Sequence, residues 1–281
     1  MKMYSTGRME KSSLRHAYAT LDQFLADPAR SGLVFDFDGT LAPIVQNPAS
    51  ARLSRRGRAA LASLAARFGA VAIVSGRALD DLAERVSVPG VWLAGSHGAV
   101  LRGPSGDVVS DGFDSASQAR LEAVAAAIHA LPSGVRVELK PGSVAFHYRG
   151  QEGDLGLVED LTRRVGEVAA EAGFSAAPGR CLVELRLPGF DKGSAVHTVI
   201  DRTGIQAIVV AGDDWTDLDA FRGARHHATC SGRAIAVRSA ETPEPVLAEA
   251  DVWAGGVTEI IRWLGHLERR RGEADWPRPA R

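Results

Sequence analysis

Cysteine is scarce in this chain: Cys181 and Cys230 are the only two among 281 residues. Their placement matches neither a CxxC pair nor a zinc-binding spacing, which excludes a disulfide framework and a cysteine metal cluster. Both are expected as small core residues. An excess of one charge is equally lacking, since 33 Lys and Arg face 34 Asp and Glu for a net charge of −1. That balance offers no footprint for nucleic acid or for an anionic membrane surface. No run approaches the about 18 consecutive apolar residues that a membrane span needs, and residues Met1 to Arg30 hold no continuous apolar segment of signal type. A soluble cytoplasmic protein is expected, with neither nucleic acid nor membrane among its partners.

What is present is an ordinary globular composition, 45% hydrophobic and 24% charged, with chain enough for one or two domains and a sizeable core. The stretch that organises the rest is Leu33-Val34-Phe35-Asp36-Phe37-Asp38-Gly39-Thr40-Leu41. A β-branched and aromatic run breaks abruptly into two aspartates and a glycine, which reads as a buried strand turning into a loop at its carboxyl end. Open α/β sheets place their chemistry at such ends. Alternation would send Asp36 and Asp38 to one side, and two carboxylates about 4 Å apart repel by roughly 4 kcal/mol at an effective dielectric of 20. A positive group is therefore expected between them. Taken alone, the same residues could be a plain turn capping a strand.

The neighbouring segments repeat the pattern. A helix read from apolar spacing over residues 14–25 leads into the first strand, and a helix over 54–68 precedes the strand 70–74, which ends in Ser75-Gly76-Arg77. A helix over 79–86 precedes the strand 91–94, which ends in Gly95-Ser96-His97-Gly98-Ala99. Short helical crossovers imply parallel strands with right-handed connections, so these loops fall along one sheet edge. From about residue 115 the rhythm changes to helix, hairpin, helix and two short strands, an arrangement that does not extend a parallel sheet. The first rhythm resumes with Lys192-Gly193-Ser194 opening a helix and with the strand 207–211, which ends in Gly212-Asp213-Asp214-Trp215-Thr216-Asp217. A strand over 234–237, a closing helix over 257–268 and a disordered tail complete the expectation. His226-His227 has no partner at metal spacing and reads as surface.

The expected fold is thus α/β, a Rossmann-like parallel-sheet core with an inserted α+β domain. Its boundaries are 1–112 and 188–281 for the core, with 113–187 between them. Asp36, Asp38, Ser75, Lys192, Asp213 and Asp214 together are what phosphoryl transfer through an aspartyl-phosphate requires. A carboxylate nucleophile splits hydrolysis into two displacements, and a second acid protonates the leaving oxygen and later activates water. Asp36 takes the first role and Asp38 the second, with Ser75 and Lys192 on the remaining phosphate oxygens. Oxygen ligands that leave coordination sites to water and phosphate suit Mg²⁺. A calcium loop starting at Asp213 is excluded, because Leu218 and Ala224 stand where an EF-hand needs Gly and Glu.

In this order the motifs resemble the haloacid dehalogenase superfamily of phosphatases. Within it, over roughly residues 14 to 265, the chain is similar to the trehalose-6-phosphate phosphatases. The resemblance rests on Asp36 to Leu41, Val74 to Arg77, Gly95 to Ala99, Val137 to Lys140 with His147 to Arg149, Val183 to Arg186, and Gly212 to Phe221. It implies a core of haloacid dehalogenase type with a cap domain over 113–187. It also implies Asp36 as nucleophile, Asp38 as general acid and base, and Asp36, Asp213 and the Asp38 carbonyl as Mg²⁺ ligands supported by Asp214. Glu138, Lys140, Arg149 and Glu184 in the cap, with Arg77 and His97 on the core side, fall on positions that read sugar hydroxyls. The implied reaction is hydrolysis of trehalose 6-phosphate to trehalose and phosphate, the last step of trehalose biosynthesis, by a monomer that can pair functionally with a trehalose-6-phosphate synthase. Two departures bear on the sugar more than on the reaction: Leu218 interrupts the family's usual TDED, and Leu187 stands where proline follows the family's ELR. Alternatives are another sugar phosphate (sucrose 6-phosphate, a glycosyl phosphoglycerate or a hexose phosphate) and a non-catalytic sugar-phosphate-sensing domain. The second alternative predicts decay of the carboxylate set, which this chain retains.

Overall fold

The computed structural model describes residues 12–109, 114–128, 135–140, 142–148, 150–151, 153–179 and 181–270. The expectations for the tail beyond Arg270 and for Arg149 lie outside these residues. In chain order the first part runs β1 (Ser12–Ser13), α1 (Leu14–Phe24), β2 (Ser31–Phe35), α2 (Arg55–Ala65), β3 (Ala70–Val74), α3 (Leu79–Val86), β4 (Trp92–Gly95), β5 (Val100–Arg102) and β6 (Val108–Val109). A middle block follows: α4 (Ser115–Ile128), β7 (Arg136–Lys140), β8 (Ser143–His147), α5 (Leu155–Ala172), β9 (Ser175–Gly179) and β10 (Leu182–Arg186). The chain returns through α6 (Lys192–Thr203), β11 (Ala207–Gly212), α7 (Asp217–His226), β12 (Ser231–Val237), α8 (Glu244–Glu249), β13 (Val252–Ala254) and α9 (Val257–Arg269).

Two sheets result. The larger has the order β1-β13-β12-β11-β2-β3-β4-β5-β6. From β1 to β4 every pairing is parallel. Strands β2 and β3 are buried along their whole length, as continuous apolar runs covered by helices on both faces should be. Alternate residues sort cleanly. Leu33, Phe35, Val71, Ile73, Val209 and Ala211 join one core layer with α1, α2 and α9, whereas Val34, Ala72, Val74, Ile208 and Val210 join the other with α6 and α7. Trp263 of α9 is fully buried and meets Phe35 edge-on, with ring centroids 6.3 Å apart.

The edge hairpin β5–β6 is antiparallel and absent from the sequence reading, as are α8, β13 and the pairing of β1 with β13. Strands of two or three residues are too short to display a period of two, so their partners alone define them. The last long strand also starts at Ser231, three residues before the apolar run that announces it.

The smaller sheet is antiparallel throughout, with the order β7-β8-β10-β9. Helices α4 and α5 cover one face, burying Leu121, Leu161 and Val165 against Val144, Phe146, Val183 and Leu185. Register sets Glu138, Ala145 and Glu184 in one row and Lys140, Ser143 and Arg186 in the next. The period of two therefore gathers the charged residues on the uncovered face. That face meets the carboxyl edge of the larger sheet. Among the described residues, no helix is long and apolar enough to cross a membrane.

Candidate active site

Strand β2 lies between β11 and β3, so the loops after Phe35, Gly212 and Val74 are immediate neighbours. The ladder runs one residue beyond β2, with Asp36 N donating to Ala211 O at 2.9 Å. This brings Asp36 beside Asp213 although 176 positions separate them in the chain. Gly39 has φ +93°, and a Cβ there would lie 2.2 Å from Asp213 Oδ2, so only glycine allows the two loops to touch. Buried Thr40 donates to Asp213 Oδ1 at 3.1 Å.

Lys192 opens α6, behind the N-cap Asp191, whose carboxylate receives Ser194 N in a capping box. A lysine in a first helical turn is opposed by the helix dipole. Two carboxylates compensate: Lys192 Nζ lies 2.6 Å from Asp36 Oδ1 and 2.6 Å from Asp217 Oδ1, with all three side chains buried. Burial pushes the Asp36 carboxyl well up, with Lys192 opposing and Asp217 and Asp213 adding to the rise. Burial works against the Lys192 ammonium, yet the charges of Asp217 and Asp36 prevail and raise its pKa. Asp217 Oδ2 accepts from Asp213 N at 2.8 Å and Asp214 N at 2.9 Å, which fixes the loop after β11.

Asp38 has a different partner. The strand ends at Phe35, so strand alternation does not govern both aspartates, and the positive groups sit on them separately: Lys192 on Asp36, Arg77 on Asp38. Arg77 Nη2 lies 2.7 Å from Asp38 Oδ1 while its Nε reaches Oδ2. Ser75 is buried at the end of β3 and its hydroxyl accepts from Arg77 N at 3.3 Å.

From the smaller sheet, Glu184 reaches the core. Its Oε2 accepts from His97 Nε2 at 2.6 Å, and its Oε1 accepts from Ser143 Oγ at 2.9 Å and faces Lys140 Nζ at 3.4 Å. Burial alone would raise the Glu184 carboxyl, but His97, Lys140 and Arg186 hold it well below the usual range. Burial lowers the His97 pKa against the pull of Glu184. Glu138 Oε2 pairs with His147 Nε2 at 2.7 Å, and this hydrogen bond lowers the Glu138 pKa.

These groups share one cleft of about 750 Å³. Its walls include Asp36, Asp38, Ser75, Arg77, His97, Glu138, Lys140, Glu184, Lys192, Asp213 and Asp214. Every expected site residue within the described region therefore faces the same space. The sequence reading missed Asp217, Asp81, Arg85, Ser143 and His147. The spacing of Asp81 and Arg85 is legible as one face of α3, with Arg77 just before its start, and Asp217 is legible as the acid at the start of α7. Cys181 also departs from expectation: it is half-buried at φ +53°, whereas Cys230 is buried.

Carboxylate oxygens of Asp36, Asp213 and Asp217 lie within 4.8 Å of one another, an all-oxygen donor set suited to a hard divalent cation. Both oxygens of Asp217 already serve Lys192 and backbone donors, and Asp217 is absent from the cleft wall. Of the three, Asp36 and Asp213 face the cleft, whereas Asp217 bonds Lys192 and the backbone N–H groups of Asp213 and Asp214.

Comparison with known proteins agrees with this geometry. The family model described as trehalose-phosphatase matches residues 34–250. A trehalose-phosphate phosphatase of Mycobacterium avium is 42% identical over 209 residues, covering 68% of this chain and 50% of that protein. The corresponding protein of Mycobacterium leprae is 38% identical over 251 residues, covering 84% of this chain and 57% of its own. The chain spans about half the length of these curated relatives. The C-terminal domain of a Candida albicans trehalose-6-phosphate phosphatase superposes with a TM-score of 0.75 at 22% identity, covering 92% of this chain and 98% of that one, and shares the fold. With its matched region running from the first motif strand to the end of α8, this chain belongs to the trehalose-phosphatase family.

Proposed function

We propose that the chain is a Mg²⁺-dependent phosphatase that hydrolyses trehalose 6-phosphate to trehalose and phosphate. The observation that supports it most is the meeting of two unlike surfaces on one cleft. The buried Asp36, Lys192 and Asp213 form its floor, and the charged face of the smaller sheet forms its roof. A phosphate ester fits the first and a polyhydroxylated leaving group the second.

In this reading Asp36 attacks phosphorus, forming an acyl phosphate as the ester P–O bond breaks. The leaving sugar oxygen takes a proton from Asp38, and Asp38 then draws a proton from water as it attacks the phosphoenzyme. Lys192 and Ser75 hold phosphate oxygens, while Asp36, Asp213 and the Asp38 carbonyl bind the cation with support from Asp214. Bound Mg²⁺ supplies charge neutralisation between the carboxylates and the incoming phosphate dianion. The block 113–187 acts as a cap over the core 1–112 and 188–281, and Glu138, Lys140, Arg149 and Glu184 on it read sugar hydroxyls together with His97 and Arg77. A site built to pair hydroxyls discriminates strongly against a ligand that lacks them, because its buried polar groups would be left unpaired. A cytoplasmic monomer acting on the product of a trehalose-6-phosphate synthase completes the proposal.

The test is phosphate release from a panel of sugar phosphates at equal concentration with Mg²⁺ present. Trehalose 6-phosphate is expected to exceed glucose 6-phosphate by about 100-fold in kcat/KM. Comparable rates would remove the disaccharide assignment, and no release from any ester would remove the enzyme reading in favour of a sensing domain.

A further inference from the structure

Asp38 is the outer member of a ladder that passes through Arg77, just before α3, to Asp81 and Arg85 on one face of that helix. The Arg77 fork that grips its carboxylate also donates from Nη1 to Asp81 Oδ2 at 2.8 Å. Asp81 in turn receives Arg85, whose Nε lies 2.8 Å from Asp81 Oδ2 and whose Nη2 reaches Oδ1. Both arginines are also anchored in backbone: Arg85 Nη1 donates to Ala49 O at 2.8 Å and Ala51 O at 3.2 Å, and Arg77 Nη2 donates to Pro48 O at 2.9 Å.

A guanidinium is a rigid plane, so the direction in which it offers its hydrogens is set by what holds its other edge. For Arg77 that edge is held at Nη1 by Asp81, with Pro48 O on Nη2 and the Phe37 ring centroid 5.5 Å from the guanidinium carbon as further supports. Arg85 is buried and Asp81 is only half so, yet two guanidinium partners bring the Asp81 carboxyl down to about 2. Its hydrogen bond with Arg85 is the largest contribution, and Arg77 adds to it against the effect of burial. Asp81 is therefore an anion at any pH at which the protein would work. Neither Asp81 nor Arg85 has a role in the phosphoryl chemistry as derived above, although both line the cleft.

We propose that Asp81, braced by Arg85, is a positioning residue for Asp38: it fixes the plane of the Arg77 guanidinium, and that plane fixes the carboxyl that delivers the proton to the leaving oxygen. The inference rests on the phosphatase reading and deepens it. As Asp36 bonds to phosphorus, the electron pair of the broken P–O bond goes to the ester oxygen. That oxygen takes the Asp38 proton, leaving an alcohol, an aspartyl-phosphate and the Asp38 carboxylate.

The test compares two esters of similar shape, benzyl phosphate and 4-nitrophenyl phosphate, on the whole protein with Mg²⁺. An alkoxide needs the proton as it leaves, whereas nitrophenolate is a stable anion and does not. The parameter is kcat/KM, which is insensitive to the later attack of water on an irreversibly formed phosphoenzyme. Asp81→Asn is expected to lower the benzyl value about tenfold or more while changing the nitrophenyl value by less than about threefold. Asp81→Glu recovers most of the benzyl loss, and Arg85→Lys shows the same selectivity to a smaller extent. Equal losses on both esters, or none on either, overturn the proposal. Should Asp81→Asn fail to fold by far-ultraviolet circular dichroism, Arg85→Lys decides the matter with the same criterion. A wild-type protein inactive on both esters and on trehalose 6-phosphate overturns the phosphatase reading itself, whereas an Asp38→Asn variant with an unchanged benzyl to nitrophenyl ratio removes the acid role of Asp38 and overturns the proposal alone.

Discussion

His97 Nε2 donates to Glu184 Oε2 across 2.6 Å, joining the loop after β4 to a strand of the smaller sheet. Burial lowers the His97 pKa from its ordinary 6.5, so the unfolded chain takes up a proton more readily than the folded state as pH falls below that value. Stability from this source is complete above 6.5 and is lost as pH drops toward the lower folded value. Between pH 7 and pH 5 the wild type is expected to lose more stability than His97→Gln, measured by urea denaturation. A larger loss in the variant would contradict the assignment.

Asp36→Asn should reduce phosphate release by about 10³-fold or more, because the amide cannot serve as the attacking oxygen. The circular dichroism spectrum should match that of the wild type. Trapping with a phosphate ester should add the mass of one phosphoryl group to the wild type and none to the variant.

Lys192→Met tests the buried charge cluster directly. It leaves Asp36 and Asp217 facing each other without their shared cation, and breaking a buried pair in this way costs about 3–5 kcal/mol. Denaturant titration should show that loss without Mg²⁺. A change below about 1 kcal/mol would mean that solvent already screens the cluster.

Glu138→Ala and Lys140→Ala lie on the charged face of the smaller sheet and line the cleft. Each should lower kcat/KM for the sugar phosphate by about tenfold or more while leaving 4-nitrophenyl phosphate within about threefold. Parallel losses on both would show that this face does not read the glycan.

Removal of divalent cations with a chelator should abolish turnover, and added Mg²⁺ should restore it. Because Asp36 and Asp213 are buried together, Mg²⁺ at about 100 times its dissociation constant should also stabilise the fold by about 2.7 kcal/mol, and Asp213→Asn should lose most of that increment. An unchanged melting temperature with and without the cation would remove Asp213 from the ligand set.

Much of the scaffold was legible in the chain because its signals are local. The apolar runs ending at Phe35, Val74 and Ala211 break into glycine and acid within two or three residues, and those breaks mark the strand ends that carry the candidate site. The change of rhythm after residue 114 announced a second sheet for the same reason: hairpins and long amphipathic helices write their periods into consecutive residues. The pairings that locate β1, β13 and the β5–β6 hairpin lie in partner strands, and two or three residues hold too little pattern to reveal them.

By itself, the sequence determined which residues end the strands, which positions alternate, and which charged groups exist to be used. Tertiary structure alone decided how those groups are shared. Lys192 bridges Asp36 to Asp217, Asp217 accepts from the backbone of Asp213 and Asp214, and Arg77 turns to Asp38 and Asp81. The reason is that an ion pair is chosen by distance in a low-dielectric interior, and those distances follow from strand order and helix placement. Neither is encoded in spacing along the chain.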